Sequence, residues 1–159
     1  MRKETYDSIT EAQRKLLDEA EKAMEEAYNP YSHFYVGAAL LSLRGETITG
    51  ANVENSAYGS TICAERSAIV RANAQGVRTF RSIAIIGRGE NFDTEEVTGP
   101  CGSCRQMLYE SSQVSETNLE VIMSTTKKDK IVIATMEDLL PHAFGPKNLG
   151  IELGKYRKN

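Results

Sequence analysis

Three cysteines and one glutamate are the residues of this chain whose type and spacing could do chemistry. Two of the cysteines lie in the run Pro100-Cys101-Gly102-Ser103-Cys104-Arg105-Gln106, and the third in Cys63-Ala64-Glu65-Arg66. A helix that begins near Cys101 puts Cys101 and Cys104 on one face of its first turn. Free backbone N–H groups and the positive end of the helix dipole gather there, and both stabilise thiolates. Pro100 suits the residue just outside such a helix. Two thiolates so placed invite zinc, at Zn–S distances of about 2.3 Å. Taken alone, the pair could equally be a redox couple or half of a structural zinc site.

Cys63 narrows these readings. A structural zinc site fills all four positions with protein ligands, and the chain has only three cysteines and two histidines. His33 sits in a loop among Asn29, Pro30, Tyr31 and Ser32, and His142 follows Pro141; both read as surface or locally bonded side chains. Three sulfurs without an evident fourth ligand leave a position for water, which is the arrangement of a catalytic centre. Glu65 follows Cys63 by two residues on the same helix, so it faces elsewhere and ligates awkwardly, but it can reach that water. An ordinary solvated helix glutamate is the plain alternative. The apolar start Ile62-Cys63-Ala64 weighs against it.

The elements that must position these residues follow from periodicity. Ser8-Ile9-Thr10-Glu11 can form a capping box. Leu16, Leu17, Ala20, Ala23, Met24 and Ala27 then recur at helical spacing, predicting an amphipathic helix of about five turns that ends before Asn29-Pro30. Tyr35 to Leu41 is an apolar run, Arg44-Gly45 a turn, and Thr47 to Val53 the returning strand of a hairpin. Ile62 to Ala74 reads as a helix stopped by Gly76. Ser82 to Ile86 is apolar on both faces, as a strand covered on both sides should be. After a polar loop over 88–98 come a helix from Cys101 to Ser111 and strands Leu119 to Ser124 and Ile131 to Ala134. A short helix then opens at Thr135-Met136-Glu137-Asp138 and ends at Pro141. The expected fold is one α/β domain over 1–159, three-layered α-β-α with a mixed five-stranded sheet, and a short polar tail from about 147. The basic residues Lys147, Lys155, Arg157 and Lys158 read as a sparse, solvated end.

A formal net charge of −3 is unlike the basic footprint of a protein that tracks a phosphate backbone, so no nucleic-acid partner is expected. Met1 to Asp7 carries charges of both signs without the apolar stretch of a secretory signal. No run approaches the roughly 18 apolar residues of a membrane span. With an odd number of cysteines, a cytoplasmic, reducing location and no membrane partner are expected.

In order along the chain, further segments join the two cysteine motifs. They are Pro30-Tyr31-Ser32-His33-Phe34 with Val36-Gly37-Ala38-Ala39, then Asn52-Val53-Glu54-Asn55 and Tyr58, and finally Leu139-Leu140-Pro141 and Phe144-Gly145-Pro146. Together they resemble the small cytidine deaminases of the homotetrameric, three-cysteine zinc class. Zinc-dependent nucleobase deaminases as a group carry a (His or Cys)-x-Glu followed by Pro-Cys-x-x-Cys.

The resemblance implies hydrolytic deamination of cytidine and deoxycytidine to uridine and deoxyuridine with release of ammonia, a pyrimidine-salvage reaction. It implies one Zn²⁺ per subunit on Cys63, Cys101 and Cys104, with Glu65 as the proton carrier. It also implies substrate-binding roles for Phe34 against the pyrimidine, Asn52 and Glu54 on the sugar hydroxyls, and Ala64. Phe144 would reach a neighbouring subunit's site, and Arg66 would offset thiolate charge. Tyr35, where the family pattern has proline, and a slightly long 88–98 loop are departures that could reshape the pocket rim. A different aminopyrimidine substrate, a polynucleotide substrate and a zinc-stabilised binding module are the competing readings.

Overall fold

The computed structural model describes residues 1–157; Lys158, which the sequence assigned to a basic tail, and Asn159 lie outside the described residues. In chain order the elements are β1 (Arg2–Glu4), α1 (Glu11–Met24), β2 (Phe34–Ser42), β3 (Thr47–Ala51), α2 (Ala64–Ala74), β4 (Phe80–Gly89), α3 (Gly102–Ser115), β5 (Glu120–Ser124), β6 (Ile131–Thr135) and α4 (Met136–Leu139). Among the described residues the sheet has six strands in the order β1-β6-β5-β4-β2-β3, not the expected five. The unforeseen strand, Arg2-Lys3-Glu4, pairs antiparallel with β6 at the sheet edge. Three consecutive charged residues show no alternation, and such a strand is tolerated because an edge holds it through its backbone and favours charge. β4 and β5 are parallel and the other ladders antiparallel, so the sheet is mixed as expected.

Alternation along the strands divides the core in two. On one face Ala39, Ala84, Ile86 and Ile122 pack with Leu16, Leu17, Ala20 and Met24 of α1. On the other, Ala38, Leu40, Ile83 and Ile85 pack with Ala64, Ala68 and Ala72 of α2 and Leu108 of α3. Two glycines let these helices seat directly on the sheet. A Cβ on Gly37 would lie 1.9 Å from Ala20 O, and one on Gly50 would lie 2.4 Å from Ala68 N. Small residues on α2 and a bare glycine on β3 therefore set how close the helix carrying Cys63 can come.

Local differences from the sequence reading have identifiable causes. The box that caps α1 is formed by Thr10 and Gln13, not by Ser8 and Glu11: Thr10 N–H donates to Gln13 Oε1 (2.9 Å) and Gln13 N–H to Thr10 Oγ1 (3.3 Å). Ser8 instead accepts from Thr5 N–H and donates to Glu4. The helix is 14 residues, about four turns at 3.6 residues per turn. α3 runs on to Ser115, where Ser111 and Ser115 bury their hydroxyls against carbonyls one turn back. The tail is not simply solvated. Arg157 pairs with Glu116 and donates through Nε to Val114 O (2.6 Å), and Arg78 donates to Tyr156 O (3.0 Å). No described helix is long and apolar enough to cross a membrane.

Candidate active site and metal centre

The cysteines meet because two helices begin at one end of the sheet, on one face. α2 follows the C-terminal end of β3, and α3 follows the C-terminal end of β4. In open α/β sheets that is where ligands gather. Cys63 is the N-cap of α2 and Cys101 the N-cap of α3, one position earlier than the expected first turn. Neither cap makes a side-chain hydrogen bond to its helix, and the unsatisfied first-turn N–H groups and positive ends of both helices lie beside these cysteines. Cys104 is at N3 of α3, the position an N-cap side chain naturally approaches.

The three thiols are free, and their sulfurs all lie within 4.8 Å of one another. Cys63 Sγ is 3.9 Å from Cys101 Sγ, and Cys101 Sγ is 3.6 Å from Cys104 Sγ. Sulfurs on three corners of a tetrahedron around zinc, at about 2.3 Å each, stand about 3.8 Å apart. The donor set is soft and its spacing fits, so these residues suit a zinc ion.

Charge around the cluster is arranged to match. A hydrogen bond with Cys104 comes first, and with Arg66 beside it pushes the Cys63 thiol down to about 5 against partial burial. Cys104, which keeps the proton of that pair, is pushed up. Arg66 Nη2 stands 4.0 Å from Cys63 Sγ and donates to Thr61 O at 2.8 Å. One guanidinium thus both faces the thiolate and ties the helix to the preceding turn. Glu65 is only 3% exposed, so it is not a solvated surface glutamate. Burial first, and then the charge of Cys63, push its carboxyl up to about 7. A group titrating there can both hold and release a proton near neutral pH.

Asn52 and Glu54 are drawn to the same end by the strand extension after β3. Val53 and Ile62 exchange backbone bonds of 2.9 Å in both directions, so these side chains flank a residue tied to the neighbour of Cys63. Asn52 is buried. Its Oδ1 accepts from Val36 N–H (2.9 Å) and its Nδ2 donates to Phe34 O (2.9 Å), continuing the β2–β3 ladder with a side chain. One amide hydrogen remains. Glu54 Oε2 accepts from the N–H groups of Tyr31 (2.9 Å) and Ser32 (3.1 Å), and among the described residues Oε1 has no partner. Partial burial works against ionisation, yet the bonds from Ser32 and Tyr31 hold the carboxyl below its usual range.

Phe34 opens β2 above this group, half-buried. Ala64 is buried at the first position of α2. Phe144 stands apart: it is 62% exposed, and Gln106 Nε2 of α3 donates to its carbonyl (2.9 Å). It does not tuck into its own chain. Tyr35 turns to the opposite face, where it packs with the α1 core under the Arg88 guanidinium, 4.4 Å from the ring centroid. Its departure from the family pattern therefore leaves the rim alone. The 88–98 loop does reach the rim, through Phe92, whose ring lies 6.3 Å from that of Phe34. Sequence reasoning missed Phe92. A lone aromatic in a polar loop beside Gly87 and Gly89, in a strand where glycine marks close approach, was the available signal.

Comparison with known proteins agrees with this geometry. Residues 10–120 match the model of the "cytidine and deoxycytidylate deaminase zinc-binding region". Cytidine deaminase of Sporosarcina psychrophila is 44% identical over 135 residues, covering 85% of this chain and 93% of the relative. The probable cytidine deaminase of Dictyostelium discoideum is 38% identical over 135 residues, 85% of each. The crystal structure of cytidine deaminase from Burkholderia pseudomallei superposes with a TM-score of 0.75 at 40% identity, covering 86% of this chain and all 100% of that one. With the thiol cluster, these likenesses support hydrolytic deamination as the general type of activity. A fold shared with such structures, and three cysteines gathered where a zinc ion fits, make this chain a member of the cytidine deaminase family.

Proposed function

We propose that the chain hydrolytically deaminates cytidine and deoxycytidine to uridine and deoxyuridine, releasing ammonia, as a step of pyrimidine salvage in the cytoplasm. The observation that carries the reading is a buried glutamate, Glu65, set at the helix start where three free thiols converge. Cys63, Cys101 and Cys104 would hold one zinc ion per chain. When bound, zinc supplies the Lewis acidity that makes a water nucleophilic near neutral pH. Glu65 would take a proton from the attacking water and deliver it to ring N3, which makes C4 electrophilic. The water oxygen adds to C4, and Glu65 carries the second proton from that new hydroxyl to the exocyclic amine, which leaves as ammonia as the C4 carbonyl forms. Each transfer returns Glu65 to its previous state, so one carboxyl suffices. Arg66 and the two helix starts offset the negative charge of three thiolates.

The rest of the pocket follows from what is left unpaired. Phe34 packs against the pyrimidine, and the N–H of Ala64, in the first turn of α2, is available to the ring. The remaining amide hydrogen of Asn52 and Oε1 of Glu54 take sugar hydroxyls. A pocket for such a ligand buries about 70–90% of its surface, whereas Cys101 is exposed and Phe144 projects into solvent. A homotetramer in which Phe144 completes a neighbour's site supplies the missing wall. Free nucleosides are favoured over polynucleotides because the net charge is −3 and Glu54 would repel a nearby phosphate. The test is loss of ultraviolet absorbance with the zinc-loaded protein on cytidine, deoxycytidine and a cytosine-bearing single-stranded oligonucleotide. Turnover of both nucleosides and not of the oligonucleotide is expected; comparable efficiency on the oligonucleotide, declining with added salt, would overturn the assignment.

A further inference from the structure

The β4–α3 loop carries an aromatic ring to the site that the reaction above does not use. Residues paired across a ladder share a face of the sheet. Phe34 pairs with Gly89 and Val36 with Gly87, and Val36 packs on the core beneath α2 and α3. All four therefore face the cysteine side. Both glycines are crossed by rings. A Cβ on Gly87 would lie 3.1 Å from Phe34 Cε1, and one on Gly89 only 2.1 Å from Phe92 Cε1. The two rings thus lie side by side over successive facing positions of β4, tilted by 41°, within the range of a favourable aromatic pair.

Phe92 is held in place although the residue is 63% exposed. Gly89 N–H donates to Phe92 O (2.9 Å) and Glu90 N–H to His33 O (2.8 Å). Beyond it, the N–H groups of Thr94 and Thr126 each donate to the other's hydroxyl, at 3.0 and 3.1 Å, and Lys130 holds Glu95 O at 2.7 Å. Phe34, Phe92, Val97 and Thr98, together with the 93–96 segment and its three carboxylates, line an open groove of about 530 Å³; the two rings and Val97 supply its apolar part. From Thr98 the chain reaches Cys101 in three residues.

The order of the strands gives this groove a direction. Within the sheet the sequence is β4-β2-β3. α2, with Glu65, packs over β3 and β2, Phe34 stands on β2, and Phe92 lies over β4. In an aminopyrimidine, N3 and C5 flank C4 on opposite sides. With N3 turned to Glu65, C5 turns across Phe34 toward β4. The geometry points to Phe92 as a specificity-determining residue that forms, with Phe34 and Val97, an apolar subsite for a small substituent on C5. This inference rests on the deaminase reading and on the pose it gives the ring.

The test compares kcat/KM of the zinc-loaded protein for cytidine and 5-methylcytidine in wild type, Phe92→Ala, Phe92→Gln and Phe92→Leu. Wild type turns over both. In Phe92→Ala and Phe92→Gln the ratio of 5-methylcytidine to cytidine falls about fourfold, the factor for one buried methyl-sized group, mainly through KM. Phe92→Leu, which keeps an apolar wall, restores the ratio. An unchanged or raised ratio in both the alanine and glutamine variants overturns the subsite, as does equal loss on both substrates. Failure of wild type to act on 5-methylcytidine alone also overturns it. Failure of zinc-loaded wild type on cytidine as well overturns the deaminase reading itself.

Discussion

Replacing Gly50 with alanine asks whether the seat of α2 on the sheet sets the geometry of the centre. Gly50 pairs with Ala38 and so faces α2. A Cβ there would stand 2.4 Å from Ala68 N, 2.6 Å from Ala64 O and 2.9 Å from Ala68 Cα. All three are backbone atoms, so no side chain can swing away and the helix itself must lift. The nearest approach falls about 1 Å short of the 3.4 Å at which ordinary contact begins. Overpacking of this kind costs about 1–3 kcal/mol, and in a chain of this size each kcal/mol lowers Tm by about 2–4 °C. A fall of roughly 2–12 °C is therefore expected. Cys63 caps the same helix and moves with it, and a misplacement of about 1 Å can cost about 10²-fold in rate. The assay is thermal unfolding by circular dichroism with zinc content and cytidine turnover on the same samples. Gly59→Ala is the control, since its Cβ would meet nothing within 4 Å. If Gly50→Ala matched that control in both Tm and turnover, the close seat of α2 would not be what places Cys63.

Two further outcomes follow from the centre and its surroundings. Cys63→Ala, Cys101→Ala and Cys104→Ala should each lose stoichiometric zinc and activity, measured by metal analysis and absorbance. Stoichiometric zinc retained by Cys63→Ala would instead favour a structural site built on Cys101 and Cys104. Phe144→Ala should weaken cytidine binding, read as a raised KM, more than it weakens the fold of the single chain, in which the side chain is exposed; sedimentation of the wild type should show a tetramer, and a fully active monomer would exclude a shared pocket.

How much of this was legible depended on whether the signal lay in the side-chain pattern or in the backbone. The buried strands β2 and β4 and the apolar stripe of α1 were readable because burial writes itself into periodicity. β1 was not, since Arg2, Lys3 and Glu4 contribute backbone pairing at an edge and no apolar face. Choosing Thr10 over Ser8 as the cap requires knowing which hydroxyl the chain turns toward the helix. At the site, the spacing of Cys101 and Cys104 was informative because N-cap and N3 positions meet by local geometry alone. The pairing with Cys63 spans 38 residues and needs the fold. The amide of Asn52 is half-used in extending the sheet, and Glu54 gathers two N–H groups of the 31–32 turn. Neither could be read from residue type. Phe92 was only faintly marked, by the glycines before it, because its meaning lies in what Gly89 leaves open.

The most direct test of the central claim is turnover by Glu65→Gln with its zinc content verified. The amide is nearly isosteric and can hold a hydrogen bond, but it cannot carry a proton. Full zinc occupancy, an unfolding profile like the wild type and a loss of about 10²–10⁴-fold or more in kcat for cytidine are expected. Near-normal conversion of cytidine to uridine by that zinc-loaded variant would contradict the assignment and place the proton transfers on another group.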